Sequence, residues 1–146
     1  MSEARLQVSG VRQRTAIRRF TDLIVWQRAH GVALEVFRHS KSWPREERYA
    51  LTDQIRRSSR SVGANIAEAW GKRRYEPAFI AKLVDADAEA HETEYWLINA
   101  EAHGYITSTE LSAIRSQLDE VGRMLGAMIN NPGPFIARRS PLTSEL

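Results

Sequence analysis

Four stretches of the chain repeat apolar or small side chains at steps of three and four, and this spacing restricts the fold more than any other feature. Leu23, Trp26, His30, Ala33 and Phe37 form the first row, and Leu51, Ile55, Ser58, Val62, Ile66 and Ala69 the second. Phe79, Leu83, Ala86, Ala90, Thr93, Leu97 and Ala100 form the third, and Leu111, Ile114, Leu118, Val121, Leu125 and Met128 the fourth. This period keeps one face of a helix apolar; a strand needs period two, which is nowhere sustained. An all-α chain is expected. Its 146 residues suffice for one domain with a real core.

Punctuation agrees with the four rows. Thr21-Asp22 offers an N-cap for the first helix, and Pro44 and Pro77 fall in the first turns of the second and third, where a missing N–H costs nothing. Gly104 is placed to end the third helix in a left-handed cap, and Thr107-Ser108-Thr109-Glu110 reads as a capping box opening the fourth. Asn130-Asn131-Pro132-Gly133-Pro134 stops the fourth helix. Expected spans are about 22–41, 45–74, 77–103 and 108–130. Such short connections turn consecutive helices back on one another, which predicts an antiparallel up-down-up-down four-helix bundle. Residues 1–19 are expected as a basic flexible arm, 20–131 as the bundle and 132–146 as a flexible tail.

The net charge of +3 is unevenly spread. Residues 1–19 hold five arginines against Glu3, a net +4, while residues 20–131 hold 14 basic and 16 acidic groups, a net −2. Basic arms on a near-neutral body point to a polyanion, with Arg12, Arg14, Arg18 and Arg19 as candidate contacts; the alternative is a solubilising tail. The second and third helices carry opposite charge: residues 45–74 balance to +4 and residues 76–103 to −6. Arg56, Arg57, Arg60, Lys72, Arg73 and Arg74 are therefore open to three readings, as phosphate contacts for RNA or DNA, as ion-pair partners of the third helix, or as a solvated face. Asp87 and Glu94 lie between two apolar stripes of the third helix, so partial burial and ion pairing with Arg56, Arg57 or Arg60 are expected.

The third helix has more apolar surface than a lone bundle needs. Ile80, Val84, Ala88, His91, Tyr95 and Ile98 make a second row away from the core row, and Trp70 lies off its own core stripe near Gly63 and Ala67. Trp70, Ile80, Val84, His91, Tyr95 and Ile98 are thus candidate oligomer-interface residues.

Catalytic and cofactor chemistry finds no support. The chain has no cysteine, no glycine-rich phosphate loop, no Gly-x-Ser-x-Gly, no His-Glu-x-x-His and no Glu-x-x-His. The nearest metal-like grouping is Asp87, His91 and Glu94, with Glu35 and His39 on the first helix, and it lacks a matched second half-site. No enzyme, cofactor, metal or small-molecule substrate is predicted. His30 is expected as a buried packing residue and His103 as a helix C-terminal cation. The longest clean apolar run, Leu23-Ile24-Val25-Trp26, is far too short for a membrane span, so a soluble cytoplasmic protein is expected.

Phe20-Thr21-Asp22-Leu23-Ile24-Val25-Trp26-Gln27-Arg28-Ala29 resembles the opening helix of the four-helix-bundle proteins encoded in intervening sequences of bacterial 23S ribosomal RNA genes. Leu51-Thr52-Asp53-Gln54-Ile55-Arg56-Arg57-Ser58 and Ser61-Val62-Gly63-Ala64-Asn65-Ile66-Ala67-Glu68 resemble that family's second helix, although Ala69-Trp70 replaces its more usual Glu-Gly. Phe79, Leu83, Glu92, Glu94 and Leu97 fit its third helix, and Gly104-Tyr105-Ile106 the turn that follows. The resemblance implies a bundle that assembles as a ring, typically a homopentamer, without assigned catalytic residues. A related branch, the accessory variability protein of diversity-generating retroelements, implies nucleic acid as a partner by analogy alone.

Overall fold

The computed structural model describes residues 16–137. A 3₁₀ turn at Phe20–Asp22 leads into helix α1, Ile24–Ser40. After Pro44 the chain passes through a 3₁₀ turn at Arg45–Glu47 and a π-helical turn at Arg48–Thr52 into α2, Asp53–Gly71. Helix α3 spans Glu76–Ala102, α4 spans Ser108–Asn130, and a 3₁₀ turn at Gly133–Phe135 follows. No strand occurs among the described residues, so the fold is the expected all-helical one. None of these helices is long and apolar enough to cross a membrane.

The helices pack in cyclic order, α1 on α2, α2 on α3, α3 on α4 and α4 back on α1. The most extensive contact is between α2 and α3, whose facing rows are rich in small side chains. Ser58 of α2 meets Thr93 of α3 with hydroxyl oxygens 2.9 Å apart, both fully buried. One hydroxyl donates to the other across the contact, and the accepting one donates within its own helix, Ser58 to the Ile55 carbonyl or Thr93 to that of Glu89, which offsets the burial of the polar groups. Other cross-helix contacts pair Arg57 with Glu89, Glu68 with Lys82, Arg56 with Ser40, Arg28 with Glu120, and Arg115 with Glu94.

The second, third and fourth apolar rows form the core without exception. The first row does not. In α1 the buried side chains are Val25, Ala29, Val32, Ala33 and Val36, while Trp26 and Phe37 are half-buried and His30 is exposed, stacked on Trp26 at 4.8 Å. This corrects the reading of His30 as a buried packing residue. Helix α1 carries two apolar rows one residue apart, about 100° around its axis, and the compact valine row takes the interior.

The caps behave unevenly. Gly104 has φ +80°, the left-handed conformation expected of it, and Thr107 and Glu110 exchange the two hydrogen bonds of a capping box. Asp22 instead accepts the backbone N–H groups of Arg18 and Arg19, both at 3.0 Å, so it fixes the entry turn rather than capping α1. Those two N–H groups hold its carboxyl below the usual carboxylate range. Helix α2 ends at Gly71, which leaves Lys72, Arg73 and Arg74 in the turn beyond it. Beyond α4, Phe135 stacks on Phe79 and Ile136 packs against the core.

Candidate nucleic-acid and self-association surfaces

The basic side chains of α2 are divided by their partners. Arg57 bridges Glu92 at 2.7 Å and Glu89 at 3.4 Å, and these carboxylates hold its guanidinium more firmly charged. Arg73 lies 3.6 Å over the Trp70 ring and donates to the Trp70 carbonyl at 2.7 Å. Arg56 donates to the Ser40 hydroxyl at 2.8 Å and lies over the Phe37 ring, which Arg60 and Lys41 also approach. Arg60, Lys72 and Arg74 are exposed, with no carboxylate within 4 Å among the described residues. Arg18 and Arg19 are exposed as well, whereas Arg12 and Arg14 lie outside the described residues.

Two basic segments lie at one end of the bundle. Lys72-Arg73-Arg74 follows the end of α2. The Ala137 N–H donates to the Arg73 carbonyl at 3.3 Å. Phe20, next to Arg18-Arg19, shares a groove with Ala67 in the last turns of α2. Sequence alone counted these charges but did not bring them together.

Asp87 and Glu94 do not pair with Arg56, Arg57 or Arg60. Glu94 accepts from Arg115 of α4 at 2.9 Å, and Asp87 lies 3.7 Å from His91 on its own helix and near Gly122 of α4. Both therefore turn toward α4, while Glu89 and Glu92 are the α3 carboxylates that face α2. The Trp96 indole N–H donates to Glu92 at 3.0 Å, and it and Arg57 hold that carboxyl below its usual range. Opposite net charge on α2 and α3 was legible, but choosing among seven acids required the rotation of α3. His91 is held more basic than usual, first by the Asp87 carbonyl that faces its Nδ1 and then by the Asp87 and Glu94 carboxylates. Among the described residues no three His, Asp or Glu side chains gather as metal ligands.

The second row of α3 is largely open to solvent. Tyr95 is 56% exposed, Val84 50% and Ile98 41%, with His91 exposed beside them, while Ile80 and Trp70 are half-buried against the core. A second apolar surface, which sequence reasoning missed, is an open groove of about 500 Å³ between α1 and α2. Trp26, His30, Ala33, Leu34 and Phe37 line it from α1, and Ser59, Gly63, Ala64 and Ala67 from α2. The available signal was the pair of apolar rows on α1, one of which had to lie outside the core.

Residues 21–127 match the family described as 23S rRNA-intervening sequence protein. The chain belongs to this family. A solved structure it resembles, a protein with unknown function from the S23 ribosomal protein family of Bacteroides thetaiotaomicron, is 30% identical with a TM-score of 0.65. The match covers 74% of the present chain and all of that one. No curated protein matches. In this 23S rRNA-intervening sequence protein the matched region includes all four helices almost to the end of α4, whereas Arg18, Arg19 and the residues after 127 lie outside it. Neither the family description nor that of the solved structure carries an enzymatic activity.

Proposed function

We propose that this chain is a non-enzymatic, self-associating four-helix bundle of antiparallel up-down-up-down topology that binds RNA or DNA without sequence preference. The cross-helix contacts support the topology: from Ser58 to Glu68 along α2 the partners on α3 run backwards, from Thr93 to Lys82. The exposed Val84, Tyr95 and Ile98 support self-association, because a soluble monomer gains nothing from a continuous apolar row in water. The family resemblance favours a homopentamer.

The observation that carries nucleic-acid binding is that Lys72, Arg73 and Arg74 lie at the end of the bundle where Arg18 and Arg19 lead into Phe20. Cations without carboxylate partners can neutralise phosphates and release the counterions condensed on them. Arg57 falls outside this footprint because its charge is taken up by Glu89 and Glu92. Fluorescence anisotropy with single-stranded RNA and DNA at low and moderate salt tests the reading. Binding at low salt that weakens steeply with salt is expected; no binding at low salt overturns it. A second reading, a protein-interaction module without nucleic acid, is favoured by the ion pairs across α2–α3 and α3–α4 and by the net −2 of residues 20–131. That reading predicts no anisotropy change with either polymer.

A further inference from the structure

We propose that the α1–α2 groove of one protomer receives the outer row of α3 from a second copy of this chain. The inference rests on the self-association reading and goes beyond it by naming both halves of the contact.

Two apolar rows are left over after the core is filled. Trp26, Leu34 and Phe37 of α1 face the groove, and the Val84, Tyr95 and Ile98 row of α3 faces solvent. Their shapes are opposite. The groove has a floor of small residues, and Trp26 seats against Gly63 so closely that a Cβ there would lie 3.3 Å from the indole nitrogen. The α3 row instead projects a tyrosine and two branched aliphatic side chains. Helix-in-groove recognition uses such a one-sided row of anchors.

The charges match in the same sense. Lys41, Arg56 and Arg60 converge on the Phe37 ring at distances of 5.0, 4.6 and 5.7 Å, and no carboxylate among the described residues lies within 4 Å of any of them. Along one edge of the α3 row, Asp87, Glu94 and Glu101 repeat every seven residues. Only Glu94 of these three has an arginine or lysine partner among the described residues. A cationic rim on an apolar groove and an acidic edge on an apolar row are electrostatically complementary.

In the cyclic packing order the α1–α2 face lies opposite α3 and α4, so a protomer cannot fill its own groove with its own row. The contact is heterologous, each copy giving one groove and one row, and such contacts close into rings when the rotation permits. Cyclic symmetry then sets every basic end on the same face of the ring, which multiplies weak phosphate contacts through effective concentration.

Light scattering on Leu34→Glu and Tyr95→Glu, alone and mixed, tests the pairing. Both positions are more than half exposed, and circular dichroism verifies that each variant keeps its helices. Each variant alone is expected at the monomer mass of 16.6 kDa. An equimolar mixture is expected to double that mass, because the intact groove of Tyr95→Glu can take the intact row of Leu34→Glu once and no further. Wild-type protein that is monomeric at micromolar concentration overturns the self-association reading and this inference together. Assembly that survives in Leu34→Glu but is lost in Tyr95→Glu overturns the groove alone and leaves self-association standing. Two monomeric variants that fail to combine overturn the heterologous pairing. Wild-type assembly in Leu34→Glu with weakened RNA affinity assigns the groove to nucleic acid and overturns the inference.

Discussion

Replacing Arg57 by alanine separates a structural cation from those free to meet phosphate. Its guanidinium lies 2.7 Å from Glu92 and 3.4 Å from Glu89, yet its side chain is 49% exposed, so solvent screens both pairs. Exposed pairs contribute about 0.2–1 kcal/mol each, and Glu92 keeps its Trp96 hydrogen bond in the variant, so the expected loss is about 1 kcal/mol. In a bundle of this size that lowers Tm by roughly 3–6 °C. The loss depends on pH with a definite sign. The folded-state pKa of Glu92 is depressed below its ordinary 4.5, first by the Trp96 indole and then by Arg57. Its stabilising contribution is full above the ordinary value and disappears as pH falls through the lowered one. Urea denaturation of wild type and Arg57→Ala at several pH values should show the gap narrowing below pH 4.5. RNA affinity and its salt dependence should not change, whereas Lys72→Ala/Arg74→Ala should lower the slope of log K against log salt by about 1.4 on a single strand. An Arg57→Ala variant with unchanged stability and a reduced salt slope would refute this division of labour.

Three further outcomes test the fold. Ser58→Leu places a branched side chain in the tight α2–α3 contact and should destabilise by about 1–3 kcal/mol, seen as a lower urea midpoint. Gly104→Ala puts a Cβ at φ +80° and should lose about 1–2 kcal/mol in the same assay; an unchanged midpoint would remove the left-handed cap from the account. The Tyr105 hydroxyl donates to Glu47 at 2.7 Å, and that hydrogen bond pushes its pKa up to about 12. Ultraviolet titration of Glu47→Gln should show it returning toward 10. The raised value stabilises the fold below pH 10 and is lost as pH rises through about 12.

The number of helices, the caps at Gly104 and Thr107, and the core rows of α2, α3 and α4 follow from periodicity and from residues whose backbone chemistry is local. Helix α1 shows where that reasoning stops. Two rows of similar hydrophobicity lie one residue apart on it, and only packing against α2 and α4 turned Val25, Val32 and Val36 inward and left Trp26 and Phe37 at a groove. The same holds for charge. Composition alone dictated a basic α2 beside an acidic α3, since net charge is a sum over residues. Which acid meets Arg57, and which cations stay free at the end of the bundle, depends on helix rotation and on where α2 stops. A local sequence pattern sets the chance of forming a helix, whereas its rotation is set by neighbours distant in sequence, so those pairings existed only once the four helices had packed.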